Sequence, residues 1–186
     1  MEALQLCSVP TMASGKQPEG MTVNILPSWI NHPPSRILLD AEPLLAFVVG
    51  SFDRSRLGTE SSEKFEPADF DILENLARHF QLVCTPNILT EVNDWLGHFG
   101  YIRAELRAMF ASKIPEMLEY YTPSLELSSG LKFIDVGLSD SSILFTARKL
   151  NALVITTDGR LIPHLYSANI AALLFSQLKN YYAART

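Results

Sequence analysis

Short apolar runs and helical stripes alternate along this chain from about residue 36 onward. Ile37-Leu38-Leu39 is an unbroken apolar run that stops at Asp40, which is how a strand covered on both faces reads. Pro43 suits the first turn of a helix. Leu44, Leu45, Phe47 and Val48 give that helix its apolar side, and Gly50 is expected to stop it. Ser51 to Glu66 reads as a polar loop carrying Arg54, Arg56, Gly58 and Lys64. Pro67 opens a second helix with Phe70, Leu73, Ala77 and Phe80 at helical spacing. Leu82 to Thr85 is a second strand. Pro86 starts a third helix striped by Ile88, Val92, Trp95, Leu96 and Phe99. A helical stretch disturbed by Pro115 follows from Ile102 to Tyr120, then a loop from Pro123 to Gly130. Ser139 to Leu150 predicts a helix with Ile143, Leu144 and Ala147 inside. Ala152 to Thr156 predicts a third strand running into Thr157-Asp158-Gly159. A short helix over Leu161 to Tyr166 and a last strand over Ile170 to Leu174 complete the series.

Strands that alternate with helices predict a three-layer α/β/α domain around a central, mainly parallel sheet. The chain's 186 residues fit one such domain, placed here at residues 35–186. Residues 1–34 read differently. They hold five of the eleven prolines together with Ser14, Gly15 and Gly20, the composition of a flexible N-terminal arm. Within it, Val23 to Ile30 is apolar enough to lie along the domain surface.

Hydrophobic residues make up 47% of the chain and charged residues 19%, so a core can form and extensive disorder is excluded. The net charge of −5 argues against a broad basic surface that grips phosphates without selectivity. It leaves room for a nucleic-acid enzyme whose acids are gathered in one metal site. Cys7 and Cys84 make neither a disulfide framework nor a zinc site, and a reducing cytoplasm is the expected location. An apolar run such as Leu44 to Val49 is far short of the roughly 20 residues a membrane span needs. The N-terminus also lacks the cationic start and apolar stretch of a signal peptide.

The acidic residues carry the candidate chemistry. Ligands of parallel α/β sheets sit beyond the carboxyl ends of the strands, and Asp40 and Asp158 follow two such ends. Each also suits a turn or a helix cap. At about 100° per residue Asp140 shares a stripe with Ile143, Leu144 and Ala147. A carboxylate there must be capped, paired or metal-bound, because burying bare charge is costly. Its place in a first turn, with Ser139 as the candidate N-cap, supplies about 0.3–1 kcal/mol of dipole stabilisation. Glu91 lies about 60° from Ile88 and about 40° from Trp95 around its helix, at the border of the apolar face, while Asp94 points further into solvent. If the four acids Asp40, Glu91, Asp140 and Asp158 converged, only multivalent cations would hold them ionised together. All-oxygen ligation favours Mg²⁺ or Mn²⁺, and such sites activate water against phosphodiesters. Without these four acids the net charge would be −1.

The ordered set of segments resembles the PIN-domain nucleases. The carrying residues are Ile37-Leu38-Leu39-Asp40, Thr85-Pro86-Asn87-Ile88-Leu89-Thr90-Glu91-Val92, Gly137-Leu138-Ser139-Asp140-Ser141-Ser142-Ile143-Leu144 and Val154-Ile155-Thr156-Thr157-Asp158. The likeness covers roughly Arg36 to Phe175. Each motif is weak alone, and the order Asp, Glu, Asp, Asp gives the set its specificity. The resemblance implies a PIN-like fold with Asp40, Glu91, Asp140 and Asp158 as metal-binding and catalytic acids, Mg²⁺ or Mn²⁺ as cofactor, and RNA as substrate. It further implies an endoribonuclease, similar to the toxins of bacterial toxin–antitoxin pairs, with an antitoxin-like inhibitor and a homodimer as expected partners. Among members of that family the chain looks most like stand-alone bacterial proteins with a long loop after the first helix. It departs from them at Asp40-Ala41-Glu42-Pro43, where Glu42 adds a carboxylate at a position usually held by a neutral polar residue. Glu42, Thr156 and Thr157 are accessory candidates. Arg160 is a candidate substrate-binding cation, with Arg54, Arg56 and Lys64 as further candidates.

Two other readings compete. One is a PIN-like scaffold or protein-binding module that has lost its chemistry, which Glu42 favours. The other is a phosphoacceptor or phosphatase domain on a similar sheet, to which Asp40-Ala41-Glu42 is an imperfect match. His32, His79, His98 and His164 are too scattered to suggest a nucleophile–base pair. Trp95, Phe99, Tyr101 and Phe110 form an apolar surplus that hints at a dimer interface.

Overall fold

The computed structural model describes residues 34–59, 62–130 and 132–184. The arm assigned to residues 1–34 lies outside them except for Pro34 itself. Five strands form one sheet: β1 (Arg36–Leu39), β2 (Gln81–Cys84), β3 (Leu118–Glu119), β4 (Ala152–Thr156) and β5 (Ala172–Leu174). They run in the order β3-β2-β1-β4-β5, and every pairing is parallel. The chain therefore moves outward from β1 through β2 to β3, then returns to the other side of β1 for β4 and β5. Parallel crossovers are right-handed, so connections made in opposite directions cover opposite faces, and the result is a three-layer α/β/α fold.

The helices are α1 (Ala41–Phe52), α2 (Asp69–His79), α3 (Pro86–Leu96), α4 (Arg103–Lys113), α5 (Ser124–Ser128), α6 (Phe133–Leu150), α7 (Leu161–Ser167) and α8 (Phe175–Ala183). α1 packs against α2, α3 and α4, and α6 packs against β4 and β1. Ile37, Leu38, Val154 and Ile155 are fully buried between the layers, with Leu44, Leu45 and Val48 above them and Ile143 and Ala147 from α6. Each buried aliphatic side chain of this kind contributes about 1.5–3 kcal/mol. Among the described residues, no helix is long and apolar enough to cross a membrane.

Several boundaries differ from expectation for local reasons. Gly50 does not end α1. A Cβ there would lie 2.3 Å from Phe70 Cδ2, so the glycine provides the close approach of α1 to α2 and the helix continues to Phe52. The helix expected over Ile102 to Tyr120 stops at Lys113, and Ile114–Glu116 forms a 3₁₀ turn. Leu118 and Glu119 then pair with Val83 and Cys84 as the edge strand β3. A two-residue exposed strand has no apolar run to announce it. α5 lies within the expected loop over Pro123 to Gly130. The last strand is shorter than expected, beginning at Ala172. The α6 region starts before Ser139 and is broken at Gly137, whose φ of 79° suits glycine. Ser139 is thus inside the helix, not its cap. Of the apolar surplus, Phe99 and Phe110 belong to the core, while Tyr101 is 85% exposed.

Candidate active site

The order of the sheet reverses between β1 and β4, the switch point where, at the carboxyl ends of the strands, sheets of this kind form their ligand crevice. Asp40 and Thr156-Thr157-Asp158 lie there side by side. The Asp40 amide donates to Ile155 O at 2.9 Å, which continues the β1–β4 ladder into the site. Asp40 is the N-cap of α1, and its Oδ1 accepts from the Ala41 amide at 2.7 Å. Its Oδ2 accepts from Thr156 Oγ1 at 2.5 Å. The same hydroxyl, on a fully buried residue, accepts from the Asp158 amide at 2.9 Å. One threonine thus fixes the acid after β1 and the turn after β4.

Glu91 and Asp140 come from α3 and α6. Thr85 caps α3, its Oγ1 accepting from the Ile88 amide at 3.3 Å. Ser142 Oγ donates to Ser139 O at 2.7 Å, which uses its one proton, so Thr85 Oγ1 donates to Ser142 Oγ across the buried 3.0 Å contact. That bond joins the cap of the Glu91 helix to the helix two residues beyond Asp140. Periodicity does not reveal it, although the Thr85-Pro86 pair is a readable helix-start signal.

The electrostatics record the convergence. Asp140 is pushed up to about 6, first by burial and then by the charges of Asp40, Asp158 and Glu91, with Arg160 opposing. Asp40 is also raised, chiefly by burial; its bonds from Thr156 and Ala41 oppose this, while Glu91 and Glu42 add to it. Asp158 is lowered, foremost by its bond from Arg160. Arg160 reaches Asp158 with Nη2 at 2.9 Å and Nε at 3.1 Å, and its amide donates at 2.7 Å. Of the four acids singled out from sequence, Asp140 is within electrostatic reach of the other three, and Asp40 of Glu91. Their chemistry, all carboxylate oxygen in a mutually repelling set, fits a hard divalent cation. Even so, no group of three or more His, Cys, Asp or Glu is arranged to hold a metal ion among the described residues.

The remaining candidates divide. Glu42 accepts from Thr157 Oγ1 and pairs with Lys64 Nζ at 2.6 Å, so both its oxygens are occupied at the rim of the crevice. Arg54 is engaged by Asp71, and Arg56 stands 3.6 Å from Asp53. The Cys84 thiol is buried and pushed up to about 12, mainly by desolvation, which makes it inert packing.

No protein-family model, curated protein or solved structure matches the chain.

Proposed function

We propose that the chain is a metal-dependent phosphodiesterase acting on RNA, built on a PIN-like version of the α/β/α fold. The carrying observation is the carboxyl of Asp140, raised to about 6 by burial and by acids arriving from three other segments. Such a set is unfavourable unless a cation completes it. Asp40, Glu91, Asp140 and Asp158 would hold Mg²⁺ or Mn²⁺. When bound, the cation supplies an acidified water and charge compensation at the phosphodiester. Thr156 holds Asp40 in its rotamer and fixes the turn that carries Asp158. The dipole at the start of α1 favours the ionised form of Asp40, and the buried Thr85–Ser142 bond keeps α3 and α6 in register.

The test is cleavage of a mixed-sequence fluorogenic RNA by the purified chain with Mn²⁺, Mg²⁺ or EDTA, beside Asp140→Asn. Cleavage that needs the metal and disappears in the variant is the expected result. Equal cleavage by both proteins would sink the carboxylate argument. A toxin-like role in the cytoplasm, an inhibitor protein and a homodimer belong to the same proposal. Leu125 and Ile134, 84% and 90% exposed, support a protein partner.

A second reading is a scaffold without chemistry. What favours it is that Asp40, Glu42 and Asp158 each already accept bonds from side chains of the same chain. A scaffold would show no rise in melting temperature with Mn²⁺.

A further inference from the structure

We propose that Lys64 is a substrate-positioning residue, whose ammonium takes a non-bridging phosphate oxygen of the nucleic-acid strand beside the scissile bond, and that Glu42 and Thr157 hold it at the rim for that purpose. The inference rests on the phosphodiesterase reading above.

Three segments meet at this point. Glu42 comes from the first turn of α1, Thr157 from the turn after β4, and Lys64 from the loop between α1 and α2. Thr157 Oγ1 donates to one carboxylate oxygen of Glu42, and Lys64 Nζ lies 2.6 Å from the other. Thr157 directly precedes Asp158, so the bracket is built on the turn that carries a site acid. The charge of Lys64 is felt at Asp158. Glu42 thus serves a cation at the edge of the acid set.

The loop is fixed at the lysine. Its neighbours Ser62 and Phe65 are 1% and 2% exposed. Ser62 Oγ donates to Thr59 O at 2.8 Å, and the Phe65 ring packs on Phe175 at 5.1 Å between centroids. The backbone entropy of placing Lys64 is therefore already lost on folding. The side chain itself is 61% exposed. An ammonium has three donors, and among the described residues Glu42 takes one, which leaves the others for a ligand. An exposed ion pair of this kind adds little to stability, whereas a lysine point charge is a common phosphate holder. Arg160, also beside the acids, is turned onto Asp158 through both Nε and Nη2.

The experiment measures kcat and KM for single-stranded RNA with Mn²⁺ at several salt concentrations, for the wild type, Lys64→Ala and Lys64→Arg. Melting temperatures check that the variants fold. Lys64→Ala is expected to raise KM about tenfold, the scale of one charge-assisted hydrogen bond, with kcat within about threefold. The slope of log kcat/KM against log salt should become shallower by about 0.7, one phosphate contact on a single strand. Lys64→Arg should restore most of the loss. A wild-type KM and salt slope in Lys64→Ala, with the wild type cleaving, would overturn the role of Lys64 and leave the nuclease reading standing. An absence of metal-dependent cleavage by the wild type would overturn the nuclease reading and this inference with it.

Discussion

Thr156 Oγ1 lies 2.5 Å from Asp40 Oδ2, joining the acid after β1 to the end of β4 across 116 residues of sequence. Thr156 is fully buried, and the same oxygen receives the Asp158 amide. Thr156→Val keeps the shape and removes both bonds. It leaves a buried carboxylate oxygen and an amide without partners, at about 1–3 kcal/mol for such a group. The Thr156 bond lowers the Asp40 pKa, so the variant should raise it further and extend the pH range over which Asp40 is neutral. Urea denaturation should show the loss of stability, and Thr156→Ser should recover most of it. A Thr156→Val protein as stable as the wild type would mean that this hydroxyl holds nothing.

Asp140 gives a pH signature of opposite sign to ordinary acid denaturation. Its folded value of about 6 lies above the ordinary 3.8, so the folded chain binds the proton more tightly than the unfolded chain. Metal-free stability from this group therefore rises as pH falls from about 6 towards 4, and ionisation removes it above 6. Asp140→Asn eliminates the charge. In EDTA at pH 8 the variant should be more stable than the wild type by on the order of 1 kcal/mol, a figure reduced because the carboxyl is only partly buried. The advantage should vanish near pH 4. With Mn²⁺ at 100 times its dissociation constant the wild type should gain about 2.7 kcal/mol, and the variant should gain little. Thermal melts across pH, with and without metal, measure all of this. A variant less stable than the wild type at pH 8 in EDTA would contradict electrostatic strain at Asp140.

The acids Asp40, Asp158 and Asp140 show what a sequence can and cannot convey. Asp40 is readable because it ends an unbroken apolar run, the signature of a strand buried on both faces, and Asp158 because it follows such a run after two threonines. Asp140 was readable because a charge on an apolar helical stripe violates the pattern. The alternation of strands and helices likewise gave the three layers. By contrast, β3 escaped because a two-residue edge strand buries nothing that periodicity can detect. Gly50 has the local signature of a helix stop, but its reason lies in Phe70, twenty residues away, and not in the local chain. The Glu42–Lys64 pair was out of reach because nothing local relates a first-turn acid to a loop lysine 22 positions later. The side-chain bonds that organise the crevice are long-range, and sequence pattern reports short-range order.

The Thr85–Ser142 bond carries the geometry of the other two acids. It is a buried contact of 3.0 Å between a helix cap and a helix wall. Ser142 also donates to Ser139 O, so Ser142→Ala frees a carbonyl as well as the Thr85 hydroxyl. Thr85→Val removes the donor to Ser142 and the acceptor for the Ile88 amide. Loss of such a cap alone costs about 0.5–2 kcal/mol. The two substitutions share one bond, so their costs should not add. The double variant should be more stable than the sum of the singles implies by about 0.5–1.5 kcal/mol. Because this bond sets α3 against α6, the pair should also act together on the coupling of Glu91 to Asp140. Either single substitution should lower metal affinity, and the second should lower it little further. A four-protein set of denaturation curves and Mn²⁺ titrations measures both effects. Strict additivity in stability would mean that the hydroxyls make separate contributions and that no shared bond positions the two helices.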